Sequence, residues 1–351
     1  MTDKTLRRTL LGGATVAVLA AALAVLLAFR HAHSLSPLQK TRNQTPTQGG
    51  PTIRDDPIAP GRPFQLREQT LGDSTDWISA RPAKDLRYER SSAQRGGKNP
   101  CNTPDPGWGR FTHWRQLGDG LITLPESGAV RADGTFDLVL HFHGHELARK
   151  EFVRQDANFV LLGTSRNDYR SRLAGSAMMT MLVEAVERFV SKHAARPARA
   201  AHIALISWSG GYEAVGTLLE QSERKPDAVV LFDGIHTARD PNRAGLQLAP
   251  FIEFGRRAMR GEAFMFVSHS SIDTDRFAST TESAHRLIAA FGGKPLAVSR
   301  DDALGLELRE AWSSGKLHVR GYAGGGKPDH CAHLGLYPMV LRALEREWAR
   351  R

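Results

Sequence analysis

Residues 201–211 read AHIALISWSGG, and this stretch decides the fold. Ala201–Ile206 is an apolar run with the length of a buried strand. The sequence SWSGG (residues 207–211) follows it directly, and its small residues are typical of a tight turn. Gly211–Gln221 is predicted to be a helix. A strand, a sharp turn and a helix are therefore expected in immediate succession.

The same alternation extends on both sides of this stretch. The predicted strands are Phe111–Leu117, Leu121–Leu124, Phe136–Phe142, Phe159–Leu162, Ala201–Ile206, Ala228–Phe232, Ala263–Val267 and Leu317–Tyr322. The predicted helices are Glu146–Gln155, Arg172–His193, Gly211–Gln221, Leu248–Arg260, Ser279–Phe291 and Leu336–Arg350. This order predicts an α/β fold with a mostly parallel central sheet and helices on both faces. In such sheets the functional site lies beyond the carboxyl ends of the strands.

The N-terminus has the pattern of an export segment. Met1–Arg8 is short and basic, and Leu10–Phe29 then runs for 20 residues without a charge. Residues 1–30 are therefore predicted to be a signal anchor or a signal peptide, and an uncleaved segment is long enough to span a membrane. The basic flank places the remaining chain outside the cytoplasm. We expect a protein anchored in the inner membrane and facing the periplasm, or a secreted one if the signal is cleaved.

The composition of the chain changes twice before the alternating region begins. Residues 31–70 are rich in Pro, Thr, Gln, Arg and Gly and are predicted to be a disordered linker, and residues 71–110 form a polar pre-domain segment. The net charge is +10, of which residues 1–100 carry +7. The alternating region is nearly balanced, so a nucleic-acid-binding surface is not expected.

The context of SWSGG resembles the nucleophile elbow of the α/β-hydrolase family, whose motif is G-x-S-x-G. Ser207 stands where the family has its first glycine. The resemblance covers Phe111–Arg351, and it implies one α/β-hydrolase-like catalytic domain over residues 111–351 with Ser209 as the nucleophile and no cofactor. The alternative is an ordinary glycine-rich turn in which Ser209 caps the next helix.

A second segment of the resemblance follows the predicted strand Phe136–Phe142. In the family, a His-Gly segment after an early strand supplies backbone N–H groups to the oxyanion hole, together with the residue after the nucleophile. The resemblance therefore implies that Gly144, His145 and Gly210 form this hole. The chemistry needs exposed amides directed at a developing negative charge.

The remaining triad members are less uniquely defined. The family places its general base between the last strand and the last helix, where His330 and His333 both lie, and His330 is favoured because it is nearer the glycine loop. For the acid, Asp273 ranks ahead of Asp233 and Asp275, because its loop resembles an H-G-x-x-D loop of the family. Each of these carboxylates could instead be a loop or helix-capping residue.

Histidine clustering supports a rival interpretation. Seven of the 14 histidines fall at or just after predicted strand ends. Imidazoles and carboxylates are zinc ligands, and a bound zinc could activate water as the nucleophile. The residues that would form such a site are His141, His143, His145, Asp233, His236 and Asp329.

Only two cysteines are present, which excludes a disulfide-rich scaffold and a four-cysteine zinc module. Export would place them in an oxidising compartment, where Cys101 and Cys331 are expected to pair. Such a bond would tie the pre-domain segment to the histidine loop. The alternative is two unrelated thiols.

The sequence thus favours a serine hydrolase that cleaves a carboxylic ester or a related acyl bond through Ser209, His330 and Asp273. A small-molecule or envelope-derived ester is the expected substrate. Neither a metal nor an organic cofactor is expected. The alternatives are the zinc-dependent hydrolase and a non-catalytic binding protein of the cell envelope with the same fold.

Overall fold

The strands form one mixed sheet. The computed structural model describes residues 100–155, 157–270, 272, 274–301 and 306–349. In these residues the strands are β1 (Arg115–Leu117), β2 (Gly120–Thr123), β3 (Thr135–Phe142), β4 (Phe159–Thr164), β5 (Arg199–Trp208), β6 (Ala228–Phe232), β7 (Phe264–His269), β8 (Leu296–Asp301), β9 (Glu307–Ser314) and β10 (Leu317–Tyr322). Their order across the sheet is β1-β2-β4-β3-β5-β6-β7-β10-β9-β8.

The centre of the sheet is parallel, and both edges are antiparallel. Strands β4, β3, β5, β6, β7 and β10 pair in parallel. The β1–β2 hairpin joins one side antiparallel to β4, and β9 and β8 continue antiparallel beyond β10 on the other. The predicted α/β class with a mostly parallel centre is confirmed. The β8–β9 pair was not predicted as strands.

Helices cover both faces of the sheet. They are α1 (His145–Phe152), α2 (Tyr169–Arg172), α3 (Met178–Ala194), α4 (Tyr212–Gln221), α5 (Pro241–Met259), α6 (Thr280–Ala290), α7 (Lys327–Ala332) and α8 (Tyr337–Trp348). Helices α3, α4, α5 and α6 contribute buried residues to the core on one face. Helices α1, α7 and α8 contribute to the core on the other.

Strand β3 shows how one apolar run serves both cores. All eight of its residues are buried. Leu138 and Leu140 belong to the core under α3 and α4, whereas Val139 belongs to the core under α1 and α8. Side chains alternate between faces along a strand, and burial on both faces explains the nearly continuous apolar sequence.

A crevice is expected between the carboxyl ends of β3 and β5, which pair in parallel. The chain leaves β3 through α1 and returns in β4, on one side of β3. It leaves β5 through α4 and returns in β6, on the opposite side. The two connections therefore run to opposite sides at this point. Ligands of open α/β sheets bind at such a point, outside the carboxyl ends of the strands.

Some predictions concern residues outside the described ranges. The apolar segment Leu10–Phe29, the linker over residues 31–70 and most of the pre-domain segment belong to this group, as does Asp273. Among the described residues, no helix combines the length and apolar character needed to cross a membrane.

A disulfide joins Cys101 to Cys331, which are 230 residues apart. Cys331 lies in the short helix α7 and is buried, and Cys101 is partly buried against the core under α1 and α8. The bond therefore fixes the start of the described chain to the helix that carries His330.

Replacing Cys101 by Ser should lower the free energy of unfolding by about 2–4 kcal/mol, because the unfolded chain loses a cross-link that closes a very long loop. Urea denaturation of the full chain, with and without reductant, measures this change. Reductant should destabilise the native protein to the level of the variant and leave the variant unchanged. Equal stability of the two proteins without reductant would contradict the prediction.

Candidate active site

Ser209 occupies a strained turn at the carboxyl end of β5. Its φ is 52°, a left-handed value that is uncommon for a residue with a side chain. The residue begins a single 3₁₀ turn over Ser209–Gly211, and α4 follows at once. Strained backbone of this kind clusters at functional sites, where the surrounding structure must hold it.

Two close approaches hold this turn. A Cβ at Gly211 would collide with the carbonyl oxygen of Phe142 at the end of β3. A Cβ at Gly234 would lie 2.7 Å from the carbonyl oxygen of Ser209. Glycine at both positions therefore lets the backbones after β3 and β6 pack directly against the turn.

Partly buried His330 and fully buried Asp233 form a pair beside this turn. Asp233 follows β6, has a φ of 43° and is 1% exposed. Nδ1 of His330 donates a hydrogen bond to Oδ2 of Asp233 over 2.7 Å. The bond fixes the proton on Nδ1 and leaves Nε2, on the opposite edge of the imidazole, free of that proton.

Asp233 accepts three further hydrogen bonds. The backbone N–H of Ser270 donates to Oδ1 over 2.8 Å, its hydroxyl donates to Oδ2 over 2.8 Å, and the Thr280 hydroxyl donates to Oδ1 over 2.6 Å. Burial alone would raise the pKa of Asp233. Interactions with His333, His330 and Thr280 outweigh burial and hold the pKa well below its usual range. The carboxylate is therefore ionised at neutral pH.

Trp208 connects the His–Asp pair to the Ser209 turn. Its ring stacks on the His330 ring, with centroids 4.6 Å apart and planes 29° apart, and its Nε1 donates to the His330 carbonyl over 3.0 Å. Because Trp208 precedes Ser209 and Gly234 follows Asp233, the serine, the histidine and the carboxylate are gathered at one place. That place lies beyond the carboxyl ends of β5 and β6.

The loop after β3 packs against the same turn. His143 and Gly144 have φ values of 72° and 68°. A Cβ at Gly144 would lie 2.6 Å from the Trp208 ring, so the loop packs against the turn. The backbone N–H of His145 donates to the Ser165 hydroxyl over 3.3 Å. The same hydroxyl lies 2.7 Å from Nδ1 of the His145 imidazole.

The other triad candidates have different surroundings. His333 is fully buried, its Nδ1 is 2.8 Å from the Ser268 hydroxyl, and burial lowers its pKa to about 4. Asp275 is exposed. Asp273 lies outside the described residues, so its surroundings are not part of this comparison.

The six residues of the zinc interpretation do not converge. Both nitrogens of His141 already have partners, Tyr337 Oη at 3.1 Å and the His143 carbonyl at 2.9 Å, and burial lowers its pKa to about 3. Oδ2 of Asp329 accepts from the Gly326 N–H over 3.0 Å. In the part of the chain that the structure describes, none of the six belongs to a trio of ligand atoms close enough to share an ion.

Three features of the site were not predicted from the sequence. They are the stack of Trp208 on His330 and the hydroxyl donors Ser270 and Thr280. Ser270 directly follows an apolar strand, and Thr280 follows the helix cap Ser279. Small hydroxyl residues at the ends of strands and helices were the sequence signal that could have indicated these two donors. The carboxylate to which both hydroxyls donate, Asp233, is 37 and 47 residues away from them, so these contacts could not be read from a local pattern.

No family model matches the chain, and no curated protein matches it. Several solved structures are similar to it at low identity. One is a truncated carbohydrate esterase from gut microbiota, with 12% identity, 76% of this chain and 99% of that chain covered, and a TM-score of 0.39. A second is a ferulic acid esterase, with 15% identity, 64% of this chain and 91% of that chain covered, and a TM-score of 0.38. A third is esterase B from Lactobacillus rhamnosis, with 14% identity, 57% of this chain and 75% of that chain covered, and a TM-score of 0.32.

Replacing Gly211 by Ala should destabilise the protein by about 1–3 kcal/mol, because the new methyl group would force the turn away from Phe142. Gly210→Ala is the matched control, since a Cβ there meets no atom within 4 Å and Gly210 does not have a positive φ. Urea denaturation compares the two. Equal losses of stability would show that the close approach is not the cause.

Proposed function

We propose that this chain is a serine hydrolase of the α/β-hydrolase type that cleaves a carboxylic ester or a related acyl bond. The observation that carries the proposal is the hydrogen-bonded His330–Asp233 pair beside the strained Ser209 turn. A serine, a histidine and a carboxylate brought close together are the groups that a catalytic triad needs, whatever their order in the chain.

In the proposed reaction, Oγ of Ser209 attacks the acyl carbon while Nε2 of His330 takes the hydroxyl proton. The imidazolium then returns this proton to the departing alcohol, and an acyl-enzyme remains. Water, deprotonated by the same nitrogen, releases the acid and restores the serine. The ionised Asp233 keeps Nδ1 protonated and stabilises the imidazolium in both halves of the reaction.

Asp233 is the proposed acid, in place of Asp273, which ranked first on sequence. The support is the hydrogen bond from Nδ1 of His330, because that nitrogen carries a single hydrogen and Asp233 accepts it. The lowered pKa of Asp233 also suits the role of triad acid. A carboxylate that is already ionised can stabilise the imidazolium without first losing a proton.

The proposed oxyanion hole combines the backbone N–H of Gly210 with the loop Gly144-His145. The support is the packing of that loop against Trp208, which brings it beside the Ser209 turn. Donors of this kind stabilise the negative charge that develops on the carbonyl oxygen during attack. Of the two backbone amides in this loop, the N–H of Gly144 is the better candidate. The N–H of His145 already donates to the hydroxyl of Ser165.

We further propose that the chain acts outside the cytoplasm on a small-molecule or envelope-derived ester, anchored in the membrane through Leu10–Phe29 or released after cleavage. The support is the basic and apolar N-terminal sequence together with the Cys101–Cys331 disulfide. Disulfides persist in oxidising compartments and are rare in the cytosol.

A fluorophosphonate probe should label Ser209 in the native protein, because such reagents react with serines activated by a neighbouring base. Ser209→Ala should abolish labelling and reduce hydrolysis of p-nitrophenyl acetate by about 10³-fold or more. Ser207→Ala is the matched control, since this serine is two residues away and buried, and it should retain labelling and most of the activity.

Mass spectrometry of the labelled peptide identifies the modified serine. Native protein without label would contradict the serine mechanism and favour a non-catalytic fold. Activity that survives Ser209→Ala but is lost on chelation would favour the metal-dependent alternative.

Asp233→Asn should lower kcat by about 10³–10⁴-fold, because the amide would stabilise the wrong imidazole tautomer. Asp273→Asn should leave kcat within about threefold of the native value. Near-UV circular dichroism verifies that each variant keeps its packed core. The opposite pattern, a large loss with Asp273→Asn and a small one with Asp233→Asn, would restore the first-ranked acid.

A further inference from the structure

Three potential metal ligands meet beyond β7, away from the Ser209 turn. His269 ends β7, His285 lies on α6 and Glu310 lies on β9. Oε1 of Glu310 is 3.2 Å from Nε2 of His269 and 2.6 Å from Nε2 of His285. One ligand atom from each of the three residues lies within 4.8 Å of the others.

The hydrogen bonds around His269 define which nitrogen carries its proton. The hydroxyl of Thr281 donates its single hydrogen to the carbonyl of Ser270 over 2.5 Å. Its oxygen is 3.0 Å from Nδ1 of His269 and must therefore accept from that nitrogen. A neutral His269 thus carries its proton on Nδ1 and presents a lone pair at Nε2.

Nε2 of His269 has no hydrogen-bond partner among the described residues. Nε2 of His269 is buried and makes no aligned hydrogen bond, although the carboxylate oxygen of Glu310 lies 3.2 Å away. His269 is 2% exposed and Glu310 is 7% exposed. A buried nitrogen without an aligned partner, close to a buried carboxylate, is an arrangement that a cation bound by both groups would stabilise.

We propose that His269, His285 and Glu310 bind one divalent transition-metal ion, zinc above all. Two imidazoles and one carboxylate are a known zinc ligand set, which leaves a fourth position for water. His285 is only partly buried, so the ion has a path from solvent. The bond from Nδ1 of His269 to Thr281 is the type of outer contact that orients a ligating imidazole.

The backbone of β10 leaves room for these ligands. A Cβ at Gly321 would lie 2.5 Å from Cε1 of His269 and 2.9 Å from Oε1 of Glu310. Ideal zinc–nitrogen distances of about 2.0–2.1 Å require the Glu310 carboxylate and the His285 ring to separate by several tenths of an ångström. The partly exposed His285 can move by this amount.

The ion would fasten β9 to β7 and α6. It would also support the carboxylate pocket indirectly, because Thr281 bonds the carbonyl of Ser270, whose N–H donates to Asp233. The proposal does not depend on the serine chemistry, since the three ligands are not part of the proposed triad.

The test uses the full chain, stripped with a chelator and then titrated with zinc chloride. Isothermal titration calorimetry and elemental analysis after desalting should give one zinc per chain. Glu310→Gln and His285→Ala should each weaken binding by about 100-fold or more. Zinc should raise the melting temperature of the native protein and leave that of both variants unchanged.

Two matched controls define the site. His202→Ala removes another histidine that pairs with a carboxylate, Asp137, but has no third ligand beside it. His330→Ala removes the histidine that pairs with Asp233. Both should bind zinc as the native chain does. No stoichiometric zinc in the native protein, zinc retained by Glu310→Gln and His285→Ala, or zinc lost in either control would overturn the proposal.

Discussion

The buried charge of Asp233 is the constraint on which the site depends. A carboxylate that is 1% exposed is costly unless donors surround it. Four hydrogen bonds satisfy it, from the backbone and hydroxyl of Ser270, the hydroxyl of Thr280 and the imidazole of His330. These donors come from the ends of β7, α6 and α7. The need to satisfy the Asp233 carboxylate therefore constrains how β7, α6 and α7 pack against one another beyond the sheet.

The core strands could be predicted well because they are buried on both faces. Ala228–Phe232 and Leu317–Tyr322 have the predicted bounds, and Thr135–Phe142 begins one residue earlier than predicted. Helix α5 begins seven residues before the predicted start at Leu248, because Asp240 caps it and Pro241 suits its first turn. The predicted start followed the apolar residues and overlooked the cap. The β8–β9 pair lies at the sheet edge, and the mixed burial of β9 gave no apolar run.

The site could be predicted only where its signal is local. The Ser209 turn is one contiguous strand–turn–helix sequence, and the structure has that turn with the strained backbone that such a motif requires. The carboxylate that pairs with His330 has no such local signal. Asp233 and His330 are 97 residues apart in sequence and meet only in the folded protein. The local pattern ranks Asp273 first, and that residue lies outside the described ranges. The roles of Ser209 and His330 remain predictions.

The Cys101–Cys331 bond has one more consequence, which concerns cleavage of the chain. The turn with Ser209, the carboxylate of Asp233 and His330 all lie between the two linked cysteines in sequence. A protease that cuts any single loop in this interval leaves two fragments joined through sulfur. The nicked protein would still migrate as one molecule until reduced. Its parts could not diffuse away from each other.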